Sequence, residues 1–381
     1  MKNGAIQMVD LFAQYLKIKN EIDTAIQNVV NTSAFIKGHD VTLFQEEMSK
    51  FLNVNHVISC ANGTDALQIA LMALNLQPED EVITPDFTFL ATVEVVALLG
   101  LKPVLVDVDP QTFNISIEKI EAAITPKTKV IIPVHLFGQC AEMEAIMNLA
   151  KKYNLYVIED AAQATGAEYR FSDGSTKKAG TIGHIGTTSF FPSKNLGCFG
   201  DGGAIFTNNS AIAERIAMIA NHGMKKKYYH DEIGINSRLD TIQAAVLRVK
   251  LKYLTNFNAA RNAAADFYDS HLKNSNIFIT PLRAAYSTHI FHQYTLKTQN
   301  IERNALQDFL TQKGIPTMIY YPVPVHLQAA YKKYGFNDFN YPTTNMLSNS
   351  VLSLPMHTEL TESQLQYIVD SLNEFSTKTE F

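Results

Sequence analysis

Three stretches of this chain join a reactive side chain to the backbone setting its chemistry needs. In Ser189-Phe-Phe-Pro-Ser-Lys-Asn-Leu-Gly-Cys-Phe-Gly-Asp-Gly-Gly203, Lys194 leaves an apolar run and enters a glycine-rich turn. Packing there would hold the amine partly away from water, disfavouring the ammonium and leaving the free base that Schiff-base chemistry uses. A surface lysine in a polar turn is the plainer alternative. In Ala61-Asn-Gly-Thr-Asp65, Gly63 and Thr64 stand where a strand turns into a helix. Open amides, the helix dipole and a hydroxyl make an anion cup there, unless the stretch is simply a helix N-cap. In Ile158-Glu-Asp-Ala-Ala-Gln163, Asp160 follows a buried strand. It would hold a cationic ring nitrogen, with Gln163 donating to a ring oxygen, or else cap the next helix.

Two weaker candidates accompany these. Phe89, in Pro85-Asp-Phe-Thr-Phe-Leu-Ala-Thr92, would stack on a flat ring or pack in the core. His135 ends a strand and reads either as a substrate contact or as a satisfied core histidine. Nucleotide-loop chemistry is excluded by context. The chain has no G-x-x-x-x-G-K-[ST], and Gly197-Cys-Phe-Gly-Asp-Gly-Gly203 precedes a strand instead of a helix.

The elements that would position these groups alternate. Short apolar runs at His56–Cys60, Glu81–Thr84, Pro103–Asp107, Val130–Val134 and Leu155–Glu159 read as strands, each followed by a helical pattern. That rhythm predicts an α/β fold, a mostly parallel sheet with helices on both faces. Strands at Thr187–Phe191 and Gly203–Thr207 flank the lysine turn with no helix between them. N-terminal helices are expected over residues 9–31 and Val41–Leu52, and later ones over Ser210–Asn221 and Asp240–Tyr253, with Met224–Asp231 as an exposed polar loop. Pro-rich connections after residue 256 suggest a smaller α/β unit, dividing the chain into 1–255 and 256–381.

Composition narrows the function. Hydrophobic residues at 46% and charged residues at 18% describe an ordinary globular chain, and a net charge of -5 offers no basic face for nucleic acid. Three scattered cysteines, Cys60, Cys140 and Cys198, argue against a disulfide framework or zinc site. No metal site is expected. No apolar run reaches the ~20 residues needed to cross a bilayer, and the N-terminus lacks signal-peptide features. A cytoplasmic protein with no membrane association is expected. A phosphate cup, a stacking aromatic, a carboxylate for a ring nitrogen and a buried lysine, in that order on successive strand ends, match what pyridoxal 5′-phosphate requires.

On Asn62-Gly-Thr-Asp-Ala-Leu, Phe87-Thr-Phe-Leu-Ala-Thr, Glu159-Asp-Ala-Ala-Gln, Ser189-Phe-Phe-Pro-Ser-Lys, Gly200-Asp-Gly-Gly, Gly234-Ile-Asn-Ser-Arg-Leu-Asp and Pro322-Val-Pro-Val-His-Leu-Gln, the chain resembles the DegT/DnrJ/EryC1/StrS sugar aminotransferases. The resemblance implies fold type I, the architecture of aspartate aminotransferase, and a homodimer with shared active sites. It implies Lys194 as the Schiff-base lysine and proton carrier, Asp160 at the pyridine nitrogen, Gln163 at the phenolate oxygen and Phe89 on the ring face. Gly63, Thr64 and Ser189 would hold the phosphate, joined by Asn236 from the neighbouring subunit. Arg238 would meet the donor carboxylate or an acidic sugar, and His326 and Tyr321 would line the sugar side. His184 stands where many members carry an acidic residue. The implied reaction moves the amino group of L-glutamate to a nucleotide-linked keto-sugar at C3. UDP-2-acetamido-2-deoxy-3-oxo-glucuronate, for surface polysaccharide, comes first and a dTDP-3-oxo-6-deoxyhexose second. A pyridoxal-phosphate sugar dehydratase and a non-catalytic relative are the competing readings. Lys194 favours transamination, because family dehydratases carry histidine there.

Overall fold

A computed structural model describes residues 5–379 of the chain. Seven strands form the main sheet: β1 (His56–Cys60), β2 (Glu81–Pro85), β3 (Lys102–Val106), β4 (Thr128–Ile131), β5 (Tyr156–Asp160), β6 (Ile185–Ser189) and β7 (Gly203–Thr207). Their spatial order is β1-β7-β6-β5-β4-β2-β3. From β3 to β6 the strands run parallel, while β7 lies antiparallel between β6 and β1. Neighbouring residues serve opposite faces, as pleating requires. Val82 and Ile158 pack into one hydrophobic cluster with Leu67, Val95 and Ile216, whereas Ile83 and Val157 pack into another with Ile146 and Ile182. Burial on both faces explains why the strands read as unbroken apolar runs.

The smaller C-terminal α/β domain contains a three-stranded antiparallel sheet of β8 (Phe278–Ile279), β9 (Tyr294–Thr298) and β10 (Val351–Leu354). Its core joins Tyr294, Leu296, Leu352 and Leu354 to Ile368 and Leu372 of the helix Glu362–Thr379.

Three local expectations need correction. The helical pattern over residues 9–31 is two helices, Leu11–Lys17 and Lys19–Thr32, separated at Ile18, whose amide turns back to the Tyr15 carbonyl. The stretch expected as a loop after Met224 contains an exposed hairpin, Met224–Lys226 paired with Tyr229–His230. The helix expected to end at Tyr253 runs for 32 residues, Thr241–Leu272, and so passes unbroken through residues 255 and 256. Beyond Tyr253 the helix carries buried polar residues that bond to distant segments. Asn258 bonds Asn195, and Arg261 donates to the carbonyls of Phe291, His292 and Met356. Tertiary partners override the weak local propensity.

Candidate active site

The functional candidates converge because each follows the carboxyl end of a strand, the edge where open α/β sheets bind ligands. Asn62 and Gly63 follow β1, Phe89 follows β2, Asp160 ends β5, Ser189 ends β6, and Lys194 stands in the turn to β7. A cavity of about 670 Å³ is lined by Gly63, Thr64, Phe89, Asp160, Gln163, Ser189, Lys194 and Tyr321.

At the foot of this cavity the helix Gly63–Met72 presents its N-terminus. The Asn62 side chain accepts from the Asp65 amide at 2.8 Å, and the Asn62 carbonyl accepts from Ala66. The Gly63 and Thr64 amides belong to the first turn, whose N–H groups have no partner within the helix. A Cβ on Gly63 would come within 2.7 Å of the Ser189 Cβ, so only glycine lets the cup close onto β6.

Asp160 is 6% exposed. Its Oδ2 accepts from the Thr92 hydroxyl at 2.9 Å and its Oδ1 from the Ala162 amide at 3.2 Å. Each oxygen retains capacity for another donor. The Phe137 amide donates to Gln163 Oε1 at 2.7 Å, which fixes the amide so that Nε2 donates to the Tyr321 hydroxyl at 3.1 Å. Phe89 is 59% exposed, and its ring centroid lies 6.3 Å from that of Tyr321.

Lys194 lines the cavity and is half-buried. Burial lowers its amine to about 8, with the nearby Asp160 carboxylate pulling the other way. A Cβ on Gly197 would lie 2.3 Å from the Pro192 carbonyl, so the turn after the lysine closes only around glycine. His292, also on the cavity wall, is driven well below its ordinary pKa by burial and then by Lys194, and is neutral.

Some expected residues lie elsewhere. Asn236 is exposed and Arg238 half-buried, and neither lines this cavity. His326, expected on the sugar side, is also outside the lining, with both ring nitrogens engaged by Asp86 and Asp338. His135 is a core residue. Its Nε2 meets Glu159, a carboxylate that also accepts from the amides of Gly180, Ile182 and Gly183. His184 takes the Val157 amide at Nδ1 and packs edge-on to Tyr156. Thr92, Phe137, Asp201, His292, Gln293 and Tyr320 were not anticipated, although Thr92 closes the motif that contains Phe89. Among the described residues no cluster of His, Cys, Asp or Glu side chains would hold a metal ion, and no helix is long and apolar enough to cross a membrane.

An anion cup, a carboxylate and a desolvated lysine spaced around one cavity, on this strand order, define a fold type I pyridoxal-phosphate enzyme. Comparison with known proteins carries the assignment further. Residues 16–373 match the DegT/DnrJ/EryC1/StrS aminotransferase family, and the chain belongs to that family. It is 45% identical to a pleiotropic regulatory protein of Geobacillus stearothermophilus, covering 97% of this chain and 98% of that one. It is equally 45% identical to the UDP-2-acetamido-2-deoxy-3-oxo-D-glucuronate aminotransferase of Pseudomonas aeruginosa, covering 96% and 99%. The structure of ntda from Bacillus subtilis with bound cofactor PMP superposes with a TM-score of 0.86 at 33% identity, covering 94% of this chain and 82% of that one. The protein is a pyridoxal-phosphate-dependent aminotransferase.

Proposed function

We propose that the protein transfers the amino group of L-glutamate to C3 of a nucleotide-linked keto-sugar, UDP-2-acetamido-2-deoxy-3-oxo-glucuronate or a close analogue. The observation that carries the chemistry is a lysine amine lowered to about 8 in the same cavity as Asp160. The sugar rests on the Pseudomonas aeruginosa relative, similar along nearly its whole length. When bound, pyridoxal 5′-phosphate supplies an aldehyde that condenses with amines and a cationic ring that withdraws electrons.

The chain's own residues divide the remaining work. The Gly63 and Thr64 amides and the Ser189 hydroxyl bind the phosphate. Phe89 covers the ring and excludes water from it. Asp160, oriented by Thr92, accepts a hydrogen bond from the ring N–H and keeps the proton there. Gln163 donates from Nε2 to the phenolic oxygen, exchanging Tyr321 for it. Lys194, as the free base, removes the proton from the donor's Cα and returns it on the other side of the transfer. Tyr321 lines the sugar side. Asn236 and Arg238 complete the cavity of a second copy of the chain, Asn236 at the phosphate and Arg238 at a carboxylate, which makes the working unit a homodimer. Three buried, unpaired cysteines suit the cytoplasm, where we place the reaction.

The test is release of 2-oxoglutarate from glutamate in the presence of a UDP-linked 3-keto-sugar. No release, with cofactor bound, overturns the proposal. The similarity to a regulatory protein gives a second reading, in which the fold is kept for another purpose. Borohydride treatment separates the two. Covalent fixation of the cofactor at Lys194 supports the enzyme, and no fixation supports the regulator.

A further inference from the structure

His326 has a carboxylate at each ring nitrogen. Nδ1 lies 2.6 Å from Asp86 Oδ2 and Nε2 lies 2.8 Å from Asp338 Oδ1. An imidazole with one proton would aim a lone pair at one of these carboxylates, whereas an imidazolium donates to both. The backbone amide of His326 also donates to Asp86 Oδ1 at 2.9 Å, and the ring stacks on Tyr341 with centroids 4.5 Å apart.

Burial and the Asp107 charge raise the Asp86 carboxyl, while its bonds to His326 hold it down. Asp107, the remaining carboxylate beside Asp86, accepts from the amides of Val108, Thr343 and Thr344 and from the Thr344 hydroxyl. Asp338 also accepts from Asn345. Among the described residues no lysine or arginine pairs with Asp86, Asp107 or Asp338. Among the described residues, the side chain paired with both Asp86 and Asp338 is His326 itself.

The two ends of this contact belong to two separate segments that both line the cavity. Asp86 precedes Phe89 by three residues, and His326 follows Tyr321 by five. The Tyr321 ring lies 6.0 Å from Phe87 and 6.3 Å from Phe89. We infer that His326 is a positioning residue: as an imidazolium clasped between Asp86 and Asp338, it pins the segment bearing Tyr320 and Tyr321 against the strand end bearing Phe89 and so sets the width of the cavity. Its catalytic consequence rests on the aminotransferase reading; its charge state does not.

The sign with pH follows. Burial opposes the charged ring, but the bonds to Asp86 and Asp338 outweigh it and raise the His326 pKa. The clasp is fully present below the ordinary histidine pKa and is lost as pH rises through that raised value. Replacing Asp338 by Asn removes one carboxylate and moves the loss to lower pH. Two measurements test this.

The first is ¹⁵N NMR of histidine-labelled, cofactor-free protein, with the His326 signal assigned by its absence in His326→Gln. Two protonated ring nitrogens are expected at pH 7, and one protonated nitrogen overturns the inference. The second is single-turnover reaction of the holoenzyme with glutamate from pH 7 to 10, for wild type and for the Asp338→Asn variant at that solvent-facing position. The alkaline loss of rate is expected about one pH unit or more lower in the variant, the scale on which one close charge acts. Coincident profiles overturn the clasp, because Lys194 does not pair with Asp338 and its own titration would be common to both proteins. A wild type that forms the imidazolium yet never reacts with glutamate counts against the aminotransferase reading, not against the clasp.

Discussion

A lysine amine that titrates at about 8 is a free base at half of its sites at that pH, whereas an ordinary lysine would be almost wholly protonated. The rate at which apoprotein takes up pyridoxal 5′-phosphate covalently should therefore rise with pH up to about 8 and then level off. Stopped-flow absorbance checks this, and a rise continuing to pH 10 would mean that burial does not act on Lys194 as described. Lys194→Ala should lower the glutamate half-reaction by about 10²–10⁴-fold for the lost proton transfer alone. Thr92→Val removes one hydrogen bond to a charged group, worth about 1.5–3 kcal/mol, and should slow the same reaction roughly ten- to a hundredfold if Asp160 loses its aim. Pre-steady-state kinetics with glutamate measures both. Lys194 and Asp160 were legible because each carries its own local signal, a glycine turn and a strand end. Thr92 was not, since its partner is 68 residues away in sequence and only the folded sheet brings them together.

Among the elements, the helix Gly63–Met72 and the helix Thr241–Leu272 act on the site from two sides. Gly63→Ala should weaken cofactor binding, because the added methyl meets Ser189 at 2.7 Å and one wall of the cup must move. Equilibrium dialysis against pyridoxal 5′-phosphate would detect this, and unchanged affinity would remove Gly63 from the phosphate site. The long helix grips the far side of the lysine turn. Lys250 Nζ donates to the Gly197 carbonyl at 2.7 Å, and Gln243 accepts from the Phe199 amide at 2.8 Å. Lys250→Met should cost about 1–3 kcal/mol by leaving a buried carbonyl unpaired, read from the denaturation midpoint. The strands were recognisable within two or three residues at either end, because double-sided burial writes itself as apolar runs. The length of the long helix was hidden, because its extension depends on buried polar side chains whose partners lie in distant segments.

At the scale of the whole molecule, the single chain supplies the cup, carboxylate and lysine, whereas neither Asn236 nor Arg238 lines its own cavity. If a second copy receives them, inactive Lys194→Ala and Arg238→Ala proteins should regain activity when mixed, approaching a quarter of the wild-type rate for random pairing. Native mass spectrometry would verify the mixed dimers, and no recovery with those dimers present would rule out shared sites. The motif around Arg238 was legible as part of the family pattern. Its place in a shared site was implied by that resemblance alone, since residue spacing within one chain says nothing of a second.

The sheet's strand order also has a meaning in time. β1 pairs only with β7, so its edge, at residues 56–60, has no partner until residues 203–207 exist. At about 5–20 residues per second, a ribosome needs on the order of ten seconds to supply that partner. During that interval the nascent chain carries an unpaired, apolar strand edge of the kind that seeds aggregation. Fragments ending before residue 203 should collect in the insoluble fraction, and those ending just beyond 207 should do so less. Slowing synthesis upstream of that point would prolong the exposure, so the yield of this protein in a heterologous host is set partly by how fast the β1–β7 interval is translated.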